Sequence, residues 1–385
     1  MINDVWRVFW HFLVLGCISF GGPAAHIGYF QQRFVQQYRW LEQEKFGQLV
    51  ALSQFLPGPG SSQLGFAIGY NKAGLVGAVA AFIGFTLPSF TLMVLLSVFA
   101  ADVAQSTLMN GFVYGLKLLA VVVVIDAVHS MFKSFCHTSS TVTVMLCSSV
   151  IMLVSPSLIA QFTVLIGGAL IGTLLFSEQQ SNVAKSPSFN IKWLVLFVAL
   201  FVGLPMIASQ SSWLSMFNDF YQAGSLVFGG GHVVLPLLQH SVADAMTQDQ
   251  FLMGYAAAQA MPGPMFTMAT FLGAELNPDE ALLSALLATL AIFLPGFLLM
   301  LALQNGWQSL AQRPKFSGAV TGINAAVVGL LLAALFNPVF TSAVTTSLDM
   351  ALVLIGLFVL RILKAPIIAL VLSFCLVGMT LHLPI

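Results

Sequence analysis

The amino-acid sequence predicts an all-α polytopic membrane protein made of two inverted homologous halves, each with broken or re-entrant helices. Three observations lead to this fold class: sparse charge, many long apolar runs, and an internal repeat of glycine- and proline-rich motifs. Of the 385 residues, 58% are hydrophobic and only 7% are charged, against about 25% charged in ordinary soluble domains. The 13 Lys and Arg residues balance the 13 Asp and Glu residues, which argues against a nucleic-acid-binding surface.

Nine uninterrupted apolar runs are each about long enough to cross a bilayer. In chain order they are 73–101, 107–131, 138–155, 157–176, 191–209, 281–303, 316–336, 340–360 and 366–384. Four further apolar stretches are interrupted by glycine and proline, at 8–36, 46–71, 213–239 and 251–276. Interrupted helices leave backbone polar groups that lipid cannot satisfy, so these four stretches have to be surrounded by protein or water.

The interrupted stretches carry motifs that occur twice in the same order. The repeated motifs are Phe20-Gly21-Gly22 with Phe228-Gly229-Gly230, Gln54-x-x-Pro57-Gly58-Pro59 with Gln259-x-x-Pro262-Gly263-Pro264, Pro88 with Pro295, and Gly111 and Gly115 with Gly318 and Gly322. Four matches at nearly constant separation indicate a duplication. We therefore expect an N-terminal transporter repeat at 1–180, a linker with one connecting span at 181–210, and a C-terminal inverted repeat at 211–385.

The charges of matched loops predict that the two halves have opposite orientations. The first loop between elements, at 33–45, carries Arg33, Arg39 and Lys45, whereas its counterpart at 240–250 carries Asp244 and Asp249 and no Lys or Arg. Because Lys and Arg accumulate in cytoplasmic loops, the same element should lie on opposite sides of the membrane in the two halves. An inverted copy needs one extra crossing between the halves, and the connecting span supplies it.

The FGG and PGP motifs, including the residues Gln63 and His232 that follow them, resemble those of the chromate ion transporters over essentially the whole chain. This resemblance implies a multi-pass carrier of the inner membrane that exports chromate from the cytoplasm, confers chromate resistance and treats sulfate as a close analogue. One departure is that Met265 and Phe266 stand where the first half has Gly60 and Ser61. The two halves are therefore not expected to contribute equally to a site.

Chromate and sulfate are tetrahedral dianions that only accept hydrogen bonds, so their site needs converging donors. A helix N-terminus offers unpaired N–H groups and a partial positive charge. The segment from Pro59 through Gln63 has the composition of such a start, with serine hydroxyls and the Gln63 amide as further donors, and Thr267 supplies the hydroxyl of the inverted counterpart. The alternative is that each PGP motif is only a tight turn needed for packing. Gln54 and Gln259, three residues before the prolines, need partners, and either a bound oxyanion or the facing hairpin could provide them.

The remaining candidate residues have two interpretations each. The glycine breaks could form backbone nests that bind the anion or could permit close helix packing. His26 and His232 could carry protons or be ordinary hydrogen-bonded side chains. Lys117, equivalent to Asn324, could balance the charge of the dianion or pair with another span. The residues assigned to oxyanion binding are Gly21, Gly22, Gln54, Pro57, Gly58, Pro59, Gly60, Ser61, Ser62, Gln63, Lys117, Gly229, Gly230, Gly231, His232, Gln259, Pro262, Gly263, Pro264 and Thr267.

Several functions remain open at this point. A carrier of sulfate or another oxyanion would look the same, because sulfate and chromate share shape and charge. The chain could also be a non-transport membrane protein or an intramembrane enzyme, although it has no HExxH or GxSxG motif. We expect no catalytic site, metal or cofactor. The expected partners are a chromate or sulfate oxyanion and membrane lipid, with no nucleic acid, and the chain could form a homodimer.

Overall fold

The computed structural model describes residues 2–20, 22–103, 107–176, 189–228, 231–242, 245–307 and 313–381. The regular secondary structure in these ranges is helical, with no strand. This confirms the all-α class predicted from composition and apolar runs. The helices of the interrupted stretches end at the glycine and proline motifs, as the sequence predicts.

The first half contains seven helices. They are α1 (Ile2–Ile18), α2 (Gly22–Phe30), α3 (Gln43–Phe55), α4 (Gly60–Val103), α5 (Thr107–Phe135), α6 (Ser139–Val154) and α7 (Leu158–Leu175). Helix α2 continues as a π-helical segment over Gln31–Gln37. Helix α4 is broken at Ala73 and Gly74, where φ is −144° and +64°, so that it consists of a short arm at 60–72 and a long arm at 75–103.

The second half repeats this order after a connecting helix, α8 (Ile191–Ile207). Its helices are α9 (Ser212–Leu226), α10 (Val234–Val242), α11 (Gln248–Ala260), α12 (Met268–Leu276), α13 (Ala281–Leu303), α14 (Pro314–Ala334), α15 (Ser347–Arg361) and α16 (Ile367–Leu381). Helices α12 and α13 correspond to the two arms of α4. The fold thus contains two copies of one series of elements, as the repeated motifs predict. Gly21, Gly229 and Gly230 lie outside the described residues.

Five helical segments are long and apolar enough to cross a membrane: Gly60–Phe99, Asn110–Phe135, Ile191–Gln210, Pro278–Leu303 and Pro314–Ala343. Only 6% of the α8 segment is buried inside the protein, which suits a helix surrounded by lipid. The predicted span 340–360 is wrong in its bounds. Helix α15 begins only at Ser347, because the Thr346 hydroxyl accepts the N–H of Asp349 and the Asp349 side chain accepts the N–H of Thr346 in a capping box.

In each half, the last helix packs against a helix of the other half. Helix α7 of the first half packs on α14 of the second, with Gly168 and Gly172 against Gly322 and Gly318. In the reciprocal contact, α16 packs on α5 with Gly378 against the repeated glycines of α5. A methyl group on any of these glycines would overlap the opposite backbone, so small residues permit the close approach. Reciprocal contacts of this kind indicate a pseudo-two-fold relation between the halves.

Buried phenylalanines connect the helices around the first glycine break. The Phe12 ring of α1 lies 4.8 Å from the Phe34 ring and 5.4 Å from the Phe30 ring. Phe85, from the long arm of α4, lies 5.2 Å from both the Phe30 ring and the His26 ring. Because packed aromatic side chains have little freedom to move, this cluster holds His26 in a defined position next to the break.

Candidate functional site

The first PGP motif is the tip of a helical hairpin formed by α3 and the short arm of α4. Each of these helices has 13 residues and is about 20 Å long, which is too short to cross a hydrocarbon core of about 30 Å. At the tip, Gly58 has φ of +114°, a conformation that side chains other than glycine rarely adopt. We call 43–72 the first hairpin and Pro57-Gly58-Pro59 the first tip.

The second PGP motif forms an equivalent tip, Pro262-Gly263-Pro264, in the second hairpin at 248–276. Gly263 has φ of +94°. The chain then enters a 3₁₀ turn over Met265–Thr267 before α12 begins, whereas the first tip leads directly into an α-helix. The two tips thus share the glycine conformation and differ in how the following helix starts.

Each tip is hydrogen-bonded to the glycine break of the other half. The N–H of Gly58 donates to the carbonyl of Val227 at 2.7 Å, and the N–H of Gly263 donates to the carbonyl of Ser19 at 2.9 Å. Ser19 and Val227 directly precede the two FGG motifs. The four interruptions predicted from sequence therefore come together as two reciprocal pairs, and we call these paired hydrogen bonds the clasp.

The tips also pack on the proline-containing helices of the opposite half. A methyl group on Gly58 would lie 3.1 Å from Cα of Gly296, next to Pro295, and a methyl group on Gly263 would lie 3.1 Å from Oγ of Ser89, next to Pro88. The repeated prolines and the repeated PGP motifs are therefore parts of one contact. The two kinds of motif are repeated together because they contact each other in the folded protein.

The first hairpin presents a helix start with unpaired groups. The N–H of Gln63 is the first to bond within the helix, to the carbonyl of Pro59 at 2.9 Å, so the N–H groups of Gly60, Ser61 and Ser62 have no intrahelical acceptor. The Ser62 hydroxyl is buried and has no hydrogen-bond partner among the described residues. Because buried polar groups are almost always paired, this helix start has spare capacity to bind a ligand that accepts hydrogen bonds.

Two expectations for this segment differ from the structure. The amide nitrogen of Gln63 already donates to the carbonyls of Pro57 at 2.7 Å and Gly296 at 3.2 Å, so it holds the tip rather than facing a ligand. A methyl group on Gly60 would lie 2.8 Å from the carbonyl of Ser53. Glycine is therefore required there for the two arms of the hairpin to pack, whether or not an anion binds.

His26 links the first break to the first hairpin. Its Nε2 lies 3.1 Å from the carbonyl of Ser19, and its Nδ1 lies 3.1 Å from Oγ of Ser61. A carbonyl only accepts, so Nε2 carries the hydrogen, and the Nδ1 of a neutral imidazole accepts from the Ser61 hydroxyl. The Ser61 hydrogen is thus engaged, which leaves Ser62 as the unengaged hydroxyl. The sequence left two interpretations of His26, a proton carrier or an ordinary hydrogen-bonded side chain, and did not predict its contact with Ser61.

The second hairpin satisfies its polar groups internally. The Thr267 hydroxyl donates to the carbonyl of Pro264 at 2.8 Å, and the Gln259 amide donates to Sδ of Met265 at 2.7 Å. His232 Nδ1 lies 2.8 Å from the hydroxyl oxygen of Tyr255. Met265 and Phe266 are buried at the positions equivalent to Gly60 and Ser61. This hairpin leaves few donors for a ligand.

Gln54 and Lys117 take no part in the two hydrogen bonds of the clasp. The Gln54 side chain is exposed, and the structure gives it no hydrogen bond within the described ranges, whereas the Gln259 amide bonds Met265 within its own hairpin. Lys117 forms an ion pair of 2.8 Å with Asp249, in the first turn of α11. That end of α11 lies about 18 Å along the helix from the second tip. The proposed contribution of Lys117 to anion binding stays a prediction.

The remaining predicted glycines flank the clasp. Gly22 opens α2 with φ of +76°, and Gly231 opens a short 3₁₀ turn over Gly231–Val233. In the part of the chain that the structure describes, no group of three or more His, Cys, Asp or Glu side chains could hold a metal ion. The polar groups around the clasp are backbone groups, hydroxyls, the amides of Gln63 and Gln259, and the two histidines His26 and His232.

Comparisons with known proteins agree with this architecture. A family profile described as Chromate transporter matches residues 6–173 and 214–379, one match in each half. A chromate transport protein of Pseudomonas aeruginosa is 27% identical over 84% of this chain and 79% of its own length, and one of Cupriavidus metallidurans is 26% identical over 84% and 80%. An uncharacterized transporter of Methanocaldococcus jannaschii is 26% identical over 97% of this chain and 93% of its own length. No solved structure matches.

The family matches cover both repeats and therefore both hairpins, both breaks and the clasp between them. The recognition made from the FGG and PGP motifs is confirmed. Together with the long apolar helices, it makes the chain a multi-pass membrane protein of a transporter family rather than of an enzyme family. The protein belongs to the chromate transporter family.

Proposed function

We propose that the protein is a secondary transporter that exports chromate across the inner membrane by alternating access, with sulfate as a close analogue. Family membership supports transport of chromate or a related anion. The observation that carries the site is the start of α4, where the N–H groups of Gly60, Ser61 and Ser62 have no acceptor within the helix and the buried Ser62 hydroxyl has no partner among the described residues. A dianion with four acceptor oxygens matches this set of donors.

The proposed site is centred on the first tip. The N–H groups of Gly60, Ser61 and Ser62 and the hydroxyl of Ser62 bind the oxyanion, while Gln63 and Pro57 keep the tip in shape through their mutual hydrogen bond. The partial positive charge of the helix start favours an anion without a fixed cation. This matters for transport, because a carrier has to release its substrate as well as bind it.

The second half contributes surroundings rather than donors. Its tip and glycine break enclose the centre through the clasp, and Gln259 stabilises the second tip through Met265. Gly22 in the first half and Gly231 in the second are further candidate backbone donors to the anion, as are Gly21, Gly229 and Gly230, which lie outside the described residues. Pro262 lies in the second tip, and the Thr267 hydroxyl holds that tip by donating to the carbonyl of Pro264.

Alternating access requires that the two halves move relative to each other around the bound ion. Among the described residues, one backbone hydrogen bond joins each tip to the opposite break, and a single such bond contributes about 1 kcal/mol to stability. Breaking these hydrogen bonds in one arrangement of the halves and forming others in a second arrangement therefore needs little free energy. An inside-negative potential assists export of a dianion by about 2.3 kcal/mol per charge per 100 mV.

The test compares Ser62→Ala with Thr267→Val, the equivalent hydroxyl of the other half. A hydrogen bond to a charged ligand contributes about 1.5–3 kcal/mol, so we expect Ser62→Ala to weaken sulfate and chromate binding roughly ten- to hundredfold. Thr267→Val should leave both affinities nearly unchanged, because its hydroxyl donates to Pro264. Dissociation constants of the purified variants, with melting curves as a folding control, measure both effects. Wild-type affinity in a folded Ser62→Ala protein would place the anion elsewhere.

A further inference from the structure

A second polar cavity lies far from the clasp, where the start of α1 meets the loop after α2 and the end of the short arm of α4. Its volume is about 300 Å³. It is lined by side chains of two kinds, cationic and aromatic. These are Arg7, His11, Tyr38, Arg39, Trp40 and Lys72.

Positive charge exceeds negative charge at this cavity. Arg7, Arg39 and Lys72 line it directly. Arg33 stands behind it, with Nη1 3.4 Å from Nδ1 of His11. The Asp4 carboxylate lies 3.9 Å from the Lys72 ammonium, and it balances one of these charges. A ligand that brings negative charge would balance the others.

The aromatic residues place the cavity at the depth of the lipid headgroups. The His11 ring lies 4.3 Å from the Tyr38 ring and 5.5 Å from the Trp40 ring, and the Lys72 ammonium lies 5.5 Å from the centre of the Trp40 ring. On the outer side of α1, Trp6 and Trp10 are 62% and 52% exposed. Tryptophan and tyrosine gather at the boundary between hydrocarbon and water.

Arg39 occupies its place in the cavity at a conformational cost. Its φ is +50°, in the left-handed region where residues other than glycine, asparagine and aspartate are uncommon. Glycine or asparagine would suit this backbone better. Retaining a long cation in an unfavourable conformation indicates that its charge is used.

The equivalent positions of the second half do not carry these cations. Ser215 stands at the position of Arg7, Asp219 at that of His11, and Asn277 at that of Lys72. Among the described residues, the cationic cavity is therefore a feature of the first half, on the side that the charge pattern predicts to be cytoplasmic. Anionic lipids give the cytoplasmic leaflet its negative surface potential.

We propose that this cavity binds the phosphate of an anionic lipid headgroup of the cytoplasmic leaflet. The arginines and Lys72 bond the phosphate oxygens, and the aromatic side chains contact the glycerol and the start of the acyl chains. The same chemistry would accept a free tetrahedral oxyanion, but the exposed tryptophans on the adjacent face of α1 favour a ligand that remains in the bilayer. This site is independent of the transport site at the first tip.

The test measures lipid retained by the purified full chain after exchange into detergent containing phosphatidylglycerol or phosphatidylcholine. Native mass spectrometry counts bound lipid in the wild type, in Arg39→Asn, in Arg7→Gln with Arg39→Asn, and in Lys315→Gln, an exposed cation outside the cavity. We expect retention of phosphatidylglycerol to fall about fivefold for each cation removed from the cavity and to be unchanged by Lys315→Gln. Arg39→Asn should fold normally, because asparagine tolerates the local backbone.

Equal retention of the two lipids by the wild type, or wild-type retention of phosphatidylglycerol by the folded double variant, would overturn the proposal. A further arm adds inorganic phosphate or sulfate at millimolar concentration. If the wild type retains phosphatidylglycerol no better than the double variant but binds the free ions more tightly than the double variant does, the cavity is a site for free oxyanions and the lipid assignment is wrong. Lipid binding unaffected by the free ions is the expected result.

Discussion

The two hairpins have the same backbone geometry at their tips and different side-chain chemistry behind them. Gly58 and Gly263 both have positive φ and both donate to a carbonyl next to the opposite FGG motif. Behind the first tip the helix start carries Gly60, Ser61 and Ser62, whereas Met265 and Phe266 fill the corresponding space behind the second. Duplication has preserved what holds the halves together and has allowed the donors to diverge.

This difference shows which features a repeat must keep. The clasp is reciprocal, so a change in either tip affects the contact with the other half, and both tips have to retain glycine. A ligand at the centre needs hydrogen-bond donors from one half only, provided that the other half encloses the ligand. An asymmetric site in a pseudo-symmetric fold is therefore consistent with the reciprocal packing of α7 on α14 and of α16 on α5.

A topology measurement is the strongest test of whether the two halves have opposite orientations in the membrane. In a variant without Cys17, Cys136, Cys147 and Cys375, single cysteines are placed at Gln37 and at Ala245, in the matched loops of the two halves. Because these loops differ in charge, we expect an impermeant thiol reagent to label Gln37→Cys from the cytoplasmic side and Ala245→Cys from the opposite side. Labelling of both from one side would show a parallel repeat, and the pseudo-two-fold axis would then run along the membrane normal.

The variants Gly58→Ala and Gly263→Ala test whether the two tips contribute equally to the stability of the protein. Each change forces alanine into a glycine conformation, at about 1–3 kcal/mol, and pushes a methyl group into the opposite half, at about another 1–3 kcal/mol. Gly74→Ala is a matched control, because Gly74 also has positive φ but faces open space. Thermal or detergent-induced unfolding should show similar large losses at both tips and a smaller loss at Gly74. A tip variant no less stable than the control would contradict the clasp.

The smallest effect is expected from Lys117→Asn, which introduces the residue of the second half. The Lys117 side chain is 17% exposed and its partner Asp249 is 57% exposed, so the ion pair contributes about 1 kcal/mol or less. Because Asp249 already balances the charge, we expect chromate and sulfate affinities to stay within about twofold of wild type. A larger loss of affinity in a folded variant would show that Lys117 balances the dianion instead, as its place within a span first suggested.

Much of the fold could be predicted because glycine and proline have backbone preferences that local sequence reveals. The tips, the breaks and the kinked helices carry these residues at matching positions, and charge scarcity identifies lipid as the solvent. The predictions failed where a side chain's partner lies far along the chain. Gln63 has the composition of a donor to an anion, but its amide bonds Gly296 of the other half. Gln54 was expected to need a partner, and it is exposed.

By itself, the sequence determined the class of the protein, its duplication, the positions of its interruptions and the family to which it belongs. These follow from composition and from local backbone chemistry, which do not depend on distant contacts. Only the tertiary structure decided which interruption meets which, that Ser61 bonds His26 while Ser62 has no partner among the described residues, and that Lys117 pairs with Asp249. Those outcomes depend on how two interlocked halves bring remote residues within about 3 Å, the distance at which a hydrogen bond forms.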